Sequence, residues 1–272
     1  MARILAISSQ VARGHVGLSV AVFALQRLGH EVWPLPTVLL SNHPGHAKVA
    51  GTRIEPDVLT AMVEALADNG WLAEIDAVTT GYLPSTEHVQ VAVNTITRLR
   101  ASGKKLLVLV DPVIGDDPKG LYVDVTAAKA IRDTLLPLAG ITTPNRFELA
   151  WLSGMSVTDT LSATAAAARL RIADVLATSV PVTDAESLAN LLWSQSRSSE
   201  VTVRRLGKVP HGTGDLLAAL YLGHYLNGAA PEQALASAVG GVQTAIEASA
   251  GAGELQLSAA PHRWAETKLL LT

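Results

Sequence analysis

Residues 211–215 read His-Gly-Thr-Gly-Asp, and the apolar run LLAALYLGHYL follows at once. Gly212 and Gly214 permit tight backbone geometry where a side chain would obstruct. A helix starting at about Asp215 would present unpaired N–H groups and the positive end of its dipole, which together attract phosphate. Asp215 is then either the N-cap of that helix or a base held beside an anion site. The chemistry open to such an arrangement is phosphoryl transfer to an alcohol. That reaction needs a base for the hydroxyl, N–H donors for the moving phosphoryl, a cation for its charge, and exclusion of water.

Oxygen ligands for a cation stand elsewhere in the chain. VDPVIGDD supplies Asp111, Asp116 and Asp117, and TPNRFE supplies Asn145 and Glu148, three residues apart and so expected on one helical face. The Gly-, Pro- and charge-rich stretch 115–123, GDDPKGLYV, reads as a mobile flap that could exclude water.

These residues need a frame to bring them together. Short apolar runs at 3–9, 31–40, 76–83, 104–113 and 173–179 read as strands. Helical patterns lie at 17–29, 56–70, 87–103, 160–171, 215–226 and 231–249, with a strand end plus short helix at 141–154. Pro34 and Pro36 place part of the second strand at an edge or in irregular structure. ESLANLLWS and EVTVRRL read as a β pair around a Ser-rich turn. The alternation predicts an α/β fold: a three-layer αβα sandwich around a central, mostly parallel sheet. No linker divides the chain, so a single domain over residues 1–272 is expected. Ligands in such folds sit beyond the C-terminal strand ends. The polar residues following the strands are Ser8–Ser9, Ser41–His43, Gly81–Tyr82, Asp111, Thr143–Asn145 and Thr178–Ser179.

Composition excludes other classes. Hydrophobic residues make up 49% of the 272, ample for a sizeable core, while aromatics at 4% leave that core to Ala, Val and Leu. The net charge is −3 and no Lys/Arg stripe exists, so a nucleic-acid partner is not expected. The chain has no cysteine, which removes thiol catalysis and Cys-ligated metals and fits a cytoplasmic enzyme. MARILAISS is too short an apolar run for a signal peptide, and no segment approaches the roughly 20 apolar residues of a membrane span.

HGTGD before an Ala-rich helix, TPNRFELAWLSG, VDPVIGDDPKGLYV, TGYLPS and LLSNHPGH, taken together, resemble the pyridoxal kinases, in the vitamin-kinase branch of the ribokinase-like superfamily. The resemblance runs from Ile4 to about Glu247. It implies ATP-dependent phosphorylation of the 5′-hydroxymethyl group of pyridoxal and related vitamin B6 forms. Asp215 would take the hydroxyl proton, and Gly212, Thr213 and Gly214 would form the anion hole, Thr213 also meeting ATP. Ser9 would bind the polar edge of the pyridine, Tyr82 would pack on its ring, and Val16, Val38 and His43 would complete the substrate pocket. Asp111, Asn145 and Glu148 would hold Mg²⁺ and phosphate oxygens, with Asp111 and Glu148 as the metal residues. Thr178 and Ser179 would meet the ATP phosphates, and Asp116 to Tyr122 would cover the nucleotide. The resemblance further implies Mg²⁺, a monovalent cation such as K⁺, and a homodimer.

Departures are specific. His46 stands where the family usually has Tyr, Pro44 replaces a Thr, and His211 precedes the first glycine, where an apolar or small residue is common. Two alternatives remain: a hydroxymethylpyrimidine kinase, which shares GTGD and TPNxxE, and a non-catalytic ligand-binding protein on the same fold.

Overall fold

The computed structural model describes residues 1–207, 209–259 and 261–266. The chain runs β1 (Arg3–Val11), α1 (Leu18–Arg27), β2 (Glu31–Leu40), β3 (Gly51–Arg53), α2 (Pro56–Asp68), β4 (Ala77–Thr80), α3 (Thr86–Ala101) and β5 (Leu107–Val110). A small hairpin follows, β6 (Gly115–Asp116) and β7 (Gly120–Leu121). Then come α4 (Val125–Ala130), β8 (Ile141–Thr142), α5 (Arg146–Ser153), α6 (Thr160–Arg169), β9 (Asp174–Pro181), β10 (Ser187–Ser194) and β11 (Arg197–Arg204). Helices α7 (Thr213–Leu226), α8 (Pro231–Ala248) and α9 (Pro261–Glu266) complete the order.

Nine strands form one sheet in the order β11-β10-β9-β8-β5-β4-β1-β2-β3. The pairings from β2 through β9 are parallel. The edges are antiparallel: β3 on β2, and the β10–β11 hairpin on β9. Successive residues of the central strands enter opposite faces, as a pleat requires. Leu5 and Ile7 of β1, Val78 of β4, and Val108 and Val110 of β5 pack with α2 to α6 on one face. Ile4, Ala6, Ala77 and Leu109 pack with α1, α7, α8 and α9 on the other. Both faces being covered explains why these strands read as continuous apolar runs. The αβα sandwich expected from the sequence is therefore observed.

Several boundaries differ from expectation. The helix expected at about Asp215 begins at Thr213, with Gly212 as N-cap. The β10–β11 turn is tighter than the Ser-rich stretch suggested: Gln195 and Ser196 alone turn the chain, both at positive φ, and Ser198–Ser199 belong to the strand. The flap stretch contains the β6–β7 hairpin. Strand β3 and helix α4 carry no clear periodicity and were not anticipated. Pro34 and Pro36 do lie on an open edge, because β3 reaches only Val38–Leu40 of β2.

Candidate active site

Helix α7 is apolar on all sides, with Leu216 to Gly223 buried, so it sits as the central helix of its layer with its N-terminus at the sheet's C-terminal rim. Gly212 holds φ +93°, and a Cβ there would lie 1.9 Å from the His15 carbonyl oxygen. The glycine is thus required by both conformation and close approach. A Cβ at Gly214 would meet nothing within 4 Å, so the first turn of α7 faces open space. Thr213 occupies the first helical position and Asp215 the third, which rules out Asp215 as N-cap.

Asp215 instead lines a cleft together with Asp111, Ser8, Thr80, Gly81 and Gly17. The Gly17 N–H donates to its carboxylate, but burial dominates and raises the carboxyl above its ordinary value. Asp111 directly follows β5 and is buried. Its carboxyl is raised well above the usual range by burial first, then by the negative fields of Glu148 and Asp215, with Thr143 as a weaker counterweight. The buried Thr80 hydroxyl nearby has no hydrogen-bond partner, and the buried Thr143 hydroxyl faces the Asp111 carboxyl without a hydrogen bond of ordinary geometry. Among the described residues, no group of three His, Cys, Asp or Glu side chains forms a ready-made metal cluster.

Asn145 and Glu148 meet differently from the shared helical face expected. Asn145 is the N-cap of α5 and Glu148 its third residue, joined as a capping box. Glu148 Oε1 also accepts the N–H groups of Ile114 at 2.7 Å and Gly115 at 3.3 Å. Asn145 Nδ2 donates to the Gly115 carbonyl at 2.8 Å. One carboxylate and one amide thus fix the root of the flap to the start of α5. Burial pushes the Glu148 carboxyl up to about 7 against the pull of these three amides, and Asp116 adds to the rise.

The remaining residues take the following places. Thr178 adjoins Asn145 through a single parallel bridge, and its N–H donates to the Pro144 carbonyl at 3.0 Å. Ser179 is exposed at φ +57°. Asp116 lies on the flap, its carboxyl raised chiefly by burial. Tyr122 donates its N–H to the Ile114 carbonyl at 2.7 Å, and burial pushes its phenol up to about 12.

On the opposite side of the cleft, Val38 is buried beside Ser9 in the β1–β2 register, and Val16 packs next to Gly212. Tyr82 is half-buried; its N–H donates to Ser8 Oγ at 3.0 Å and its carbonyl accepts from Thr37 Oγ1 at 2.8 Å. Ser9 packs against Gly17, where a Cβ would come within 2.3 Å of Ser9 Oγ, and it is Ser8 that enters the cleft wall. The β1–β2 register shifts between Ser8 and Ser9. His43 stacks on His211 with ring centroids 3.8 Å apart. The two loops that the sequence associated with substrate and phosphate therefore touch.

Sequence reasoning missed Gly17 and Thr80 as parts of the site, and the strained Val113 beside it. Val113, in the loop after Asp111, holds φ +44°. A β-branched residue rarely adopts that conformation, and such strain tends to gather at working sites. No periodicity signals it, although its place in VDPVIGD does.

The geometry has close relatives. The chain matches the phosphomethylpyrimidine kinase family over residues 28–259. It is 35% identical over 259 residues to pyridoxal kinase PdxY of Corynebacterium diphtheriae, covering 93% of this chain and 92% of the relative. It is 37% identical over 237 residues to a pyridoxine/pyridoxal/pyridoxamine kinase of Bordetella avium, covering 85% and 80%. The crystallised pyridoxal kinase of Leishmania donovani, in complex with ADP and pyridoxamine, superimposes with a TM-score of 0.91 at 30% identity, covering 100% of this chain and 98% of that one. With this fold, this rim of strand ends and these relatives, the chain belongs to the pyridoxal kinase family, within the broader family of phosphomethylpyrimidine kinases.

Proposed function

We propose that the protein transfers the terminal phosphoryl of ATP to the 5′-hydroxymethyl group of pyridoxal and related B6 vitamers. The observation that carries this reading is the cleft that holds Asp215 beside the open first turn of α7, in a chain of this family. The hydroxyl oxygen attacks the terminal phosphorus, the bond to the bridging oxygen of ADP breaks, and the proton passes to Asp215. The transition state is loose and demands little deprotonation in advance, so placing the carboxylate matters more than its basicity. The amides of Gly212, Thr213 and Gly214 would receive charge on the transferred group.

The vitamer pocket is assigned to Ser9, Val16, Val38, His43 and Tyr82, with Ser8 added from the cleft wall. The nucleotide side is assigned to Asp111, Asp116, Tyr122, Asn145, Thr178, Ser179 and Thr213. Asp111, with the partnerless Thr80 hydroxyl and the Thr143 hydroxyl that faces its carboxyl, fits a cation site, since a buried oxygen without a partner is otherwise costly. Asp111 would hold Mg²⁺ or K⁺ there, and the cation would neutralise charge on the phosphates. Both Glu148 oxygens already accept amides, so its direct part is to hold the flap root, and it reaches the cation through its field on Asp111.

The reading extends to one domain over residues 1–272, because one sheet carries the described core on both faces. It also includes a homodimer and a cytoplasmic setting, both drawn from the family resemblance. No described helix is long and apolar enough to cross a membrane. A hydroxymethylpyrimidine kinase is the second reading, favoured by the name of the matching family. A panel measuring ADP release with pyridoxal, pyridoxine, pyridoxamine and hydroxymethylpyrimidine decides between them. Turnover of the pyrimidine alone would overturn the vitamer assignment and leave the phosphotransferase chemistry standing.

A further inference from the structure

His43 and His211 belong to different segments, the loop after β2 and the loop before α7, yet their rings lie nearly parallel, 23° apart, with centroids at 3.8 Å. Gly45 completes the contact. A Cβ there would fall 2.8 Å from His43 Nδ1 and 3.0 Å from His211 Nε2, and the Gly45 N–H donates to His43 Nδ1 at 3.0 Å. A second tether lies beside the first: His46 Nε2 meets Glu254 Oε1 at 2.8 Å, and Arg13 Nη1 lies 3.6 Å from the same oxygen. His211 is one residue before the glycine whose φ and close approach to His15 are fixed. A ring at 211 is therefore anchored to the least yielding part of the phosphate loop.

We propose that His211, by stacking on His43, is a positioning residue that ties residues 41–50 to the 212–214 backbone and so sets the KM for the vitamer. The inference rests on the reading of 41–50 as the substrate loop. It deepens that reading by naming the contact that keeps the loop over the phosphoryl position. Truncating the ring removes one face of the stack and leaves Asp215 and the 212–214 backbone unsubstituted, so the cost falls on loop closure and substrate affinity.

The pair also gives closure a direction with pH. The groups facing His43 are His211, His46, Lys119 and Glu254. Burial first, then His211, Lys119 and His46, push its imidazole down to about 4, against the pull of Glu254. His211 is lowered as well, by burial first and then Lys119 and His46, again against Glu254. A closed state that disfavours protons loses ground when the open loop begins to bind them, below an imidazole's ordinary value of about 6.5. Protons therefore do not oppose closure at neutral pH, and their opposition grows as the pH falls from about 6.5 towards about 4.

The test combines kinetics with hydrogen exchange on wild type, His211→Ala and His211→Phe. Loss of a ring pair corresponds to a rise of about two- to tenfold in KM for pyridoxal in His211→Ala. The kcat and the KM for ATP should stay within about twofold, because neither depends on the loop contact. His211→Phe keeps a ring that carries no proton. It should restore KM at neutral pH and reduce the acid-side rise expected of wild type. In the ligand-free proteins, amides in 41–50 should exchange faster in His211→Ala and return towards wild-type protection in His211→Phe. A wild-type KM in the alanine variant, a defect confined to kcat or ATP, or a phenylalanine variant that behaves like alanine would overturn the proposal. Should wild type turn over no B6 vitamer, the functional reading fails on its own. Exchange then decides the inference, and unchanged protection of 41–50 in His211→Ala sinks it.

Discussion

Asn145 and Glu148 cap the start of α5 reciprocally: Asn145 Oδ1 accepts the Glu148 N–H at 2.9 Å, and Glu148 Oε2 accepts the Asn145 N–H at 3.0 Å. The second Glu148 oxygen binds the flap root, so one buried carboxylate holds helix and flap in register. Glu148→Ala strands three amides. It should lower the unfolding free energy by about 2–4 kcal/mol, the loss of buried charge offsetting part of the cost. Urea denaturation measures this, and the KM for ATP should rise in parallel as the flap root loosens. A variant with wild-type stability and a defect only in metal dependence would show that the carboxylate is a metal ligand.

Asp215→Asn keeps the shape of the cleft and removes the proton acceptor. The kcat should fall by about 10²–10⁴-fold, with little change in the KM for pyridoxal. Thermal stability should not fall, because burial already disfavours the charged carboxylate. Retained turnover would remove Asp215 from the base role.

The two glycines of the anion hole separate steric from chemical need. Gly212→Ala combines a left-handed φ with a Cβ 1.9 Å from the His15 carbonyl oxygen, so it should cost more than about 2 kcal/mol of stability. Gly214→Ala places its methyl in open space, where a phosphoryl is expected. It should fold with an unchanged melting temperature and lose kcat. Thermal melts and steady-state assays on both variants distinguish these outcomes, and equal loss of stability in both would contradict the geometry.

Asp111, Glu148 and Asp215 all have raised carboxyls, each through burial above all. A carboxyl raised in the folded state stabilises the fold at low pH and loses that contribution as pH climbs through its folded value. For Glu148 the loss runs between 4.5 and about 7. A bound cation competes with protons at such a site, so added Mg²⁺ or K⁺ should raise the melting temperature more at about pH 8 than at about pH 6. Asp111→Asn should abolish that response. An identical cation response in the variant would place the cation elsewhere.

The chain order of strands and helices is legible in the sequence because apolar period and cap residues act locally. Gly29 and Gly70 stand just beyond helices α1 and α2 at positive φ, and Pro56 opens α2. Boundaries failed where tertiary contact overrode local preference. Local pattern put the start of α7 at Asp215, but Gly212 caps the helix because the His15 carbonyl leaves no room for a Cβ there. The β10–β11 turn fell on Gln195–Ser196 rather than over the Ser-rich stretch, because pairing of Ser194 with Arg197 extends the ladder into it.

The residue types at 111, 145, 148 and 212–215, with their spacing, pointed to phosphoryl transfer, whereas the family was legible only in the resemblance that these motifs carry together with TGYLPS and LLSNHPGH. Spacing could not say which atom of each residue faces the cleft. Ser8 rather than Ser9 enters its wall, Glu148 spends its oxygens on amides, and His43 finds a partner 168 positions away. These outcomes follow from the pleat, the crossing of α5 over the flap root and the meeting of loops at one sheet edge. They are distances in space, and the linear order of residues does not contain them.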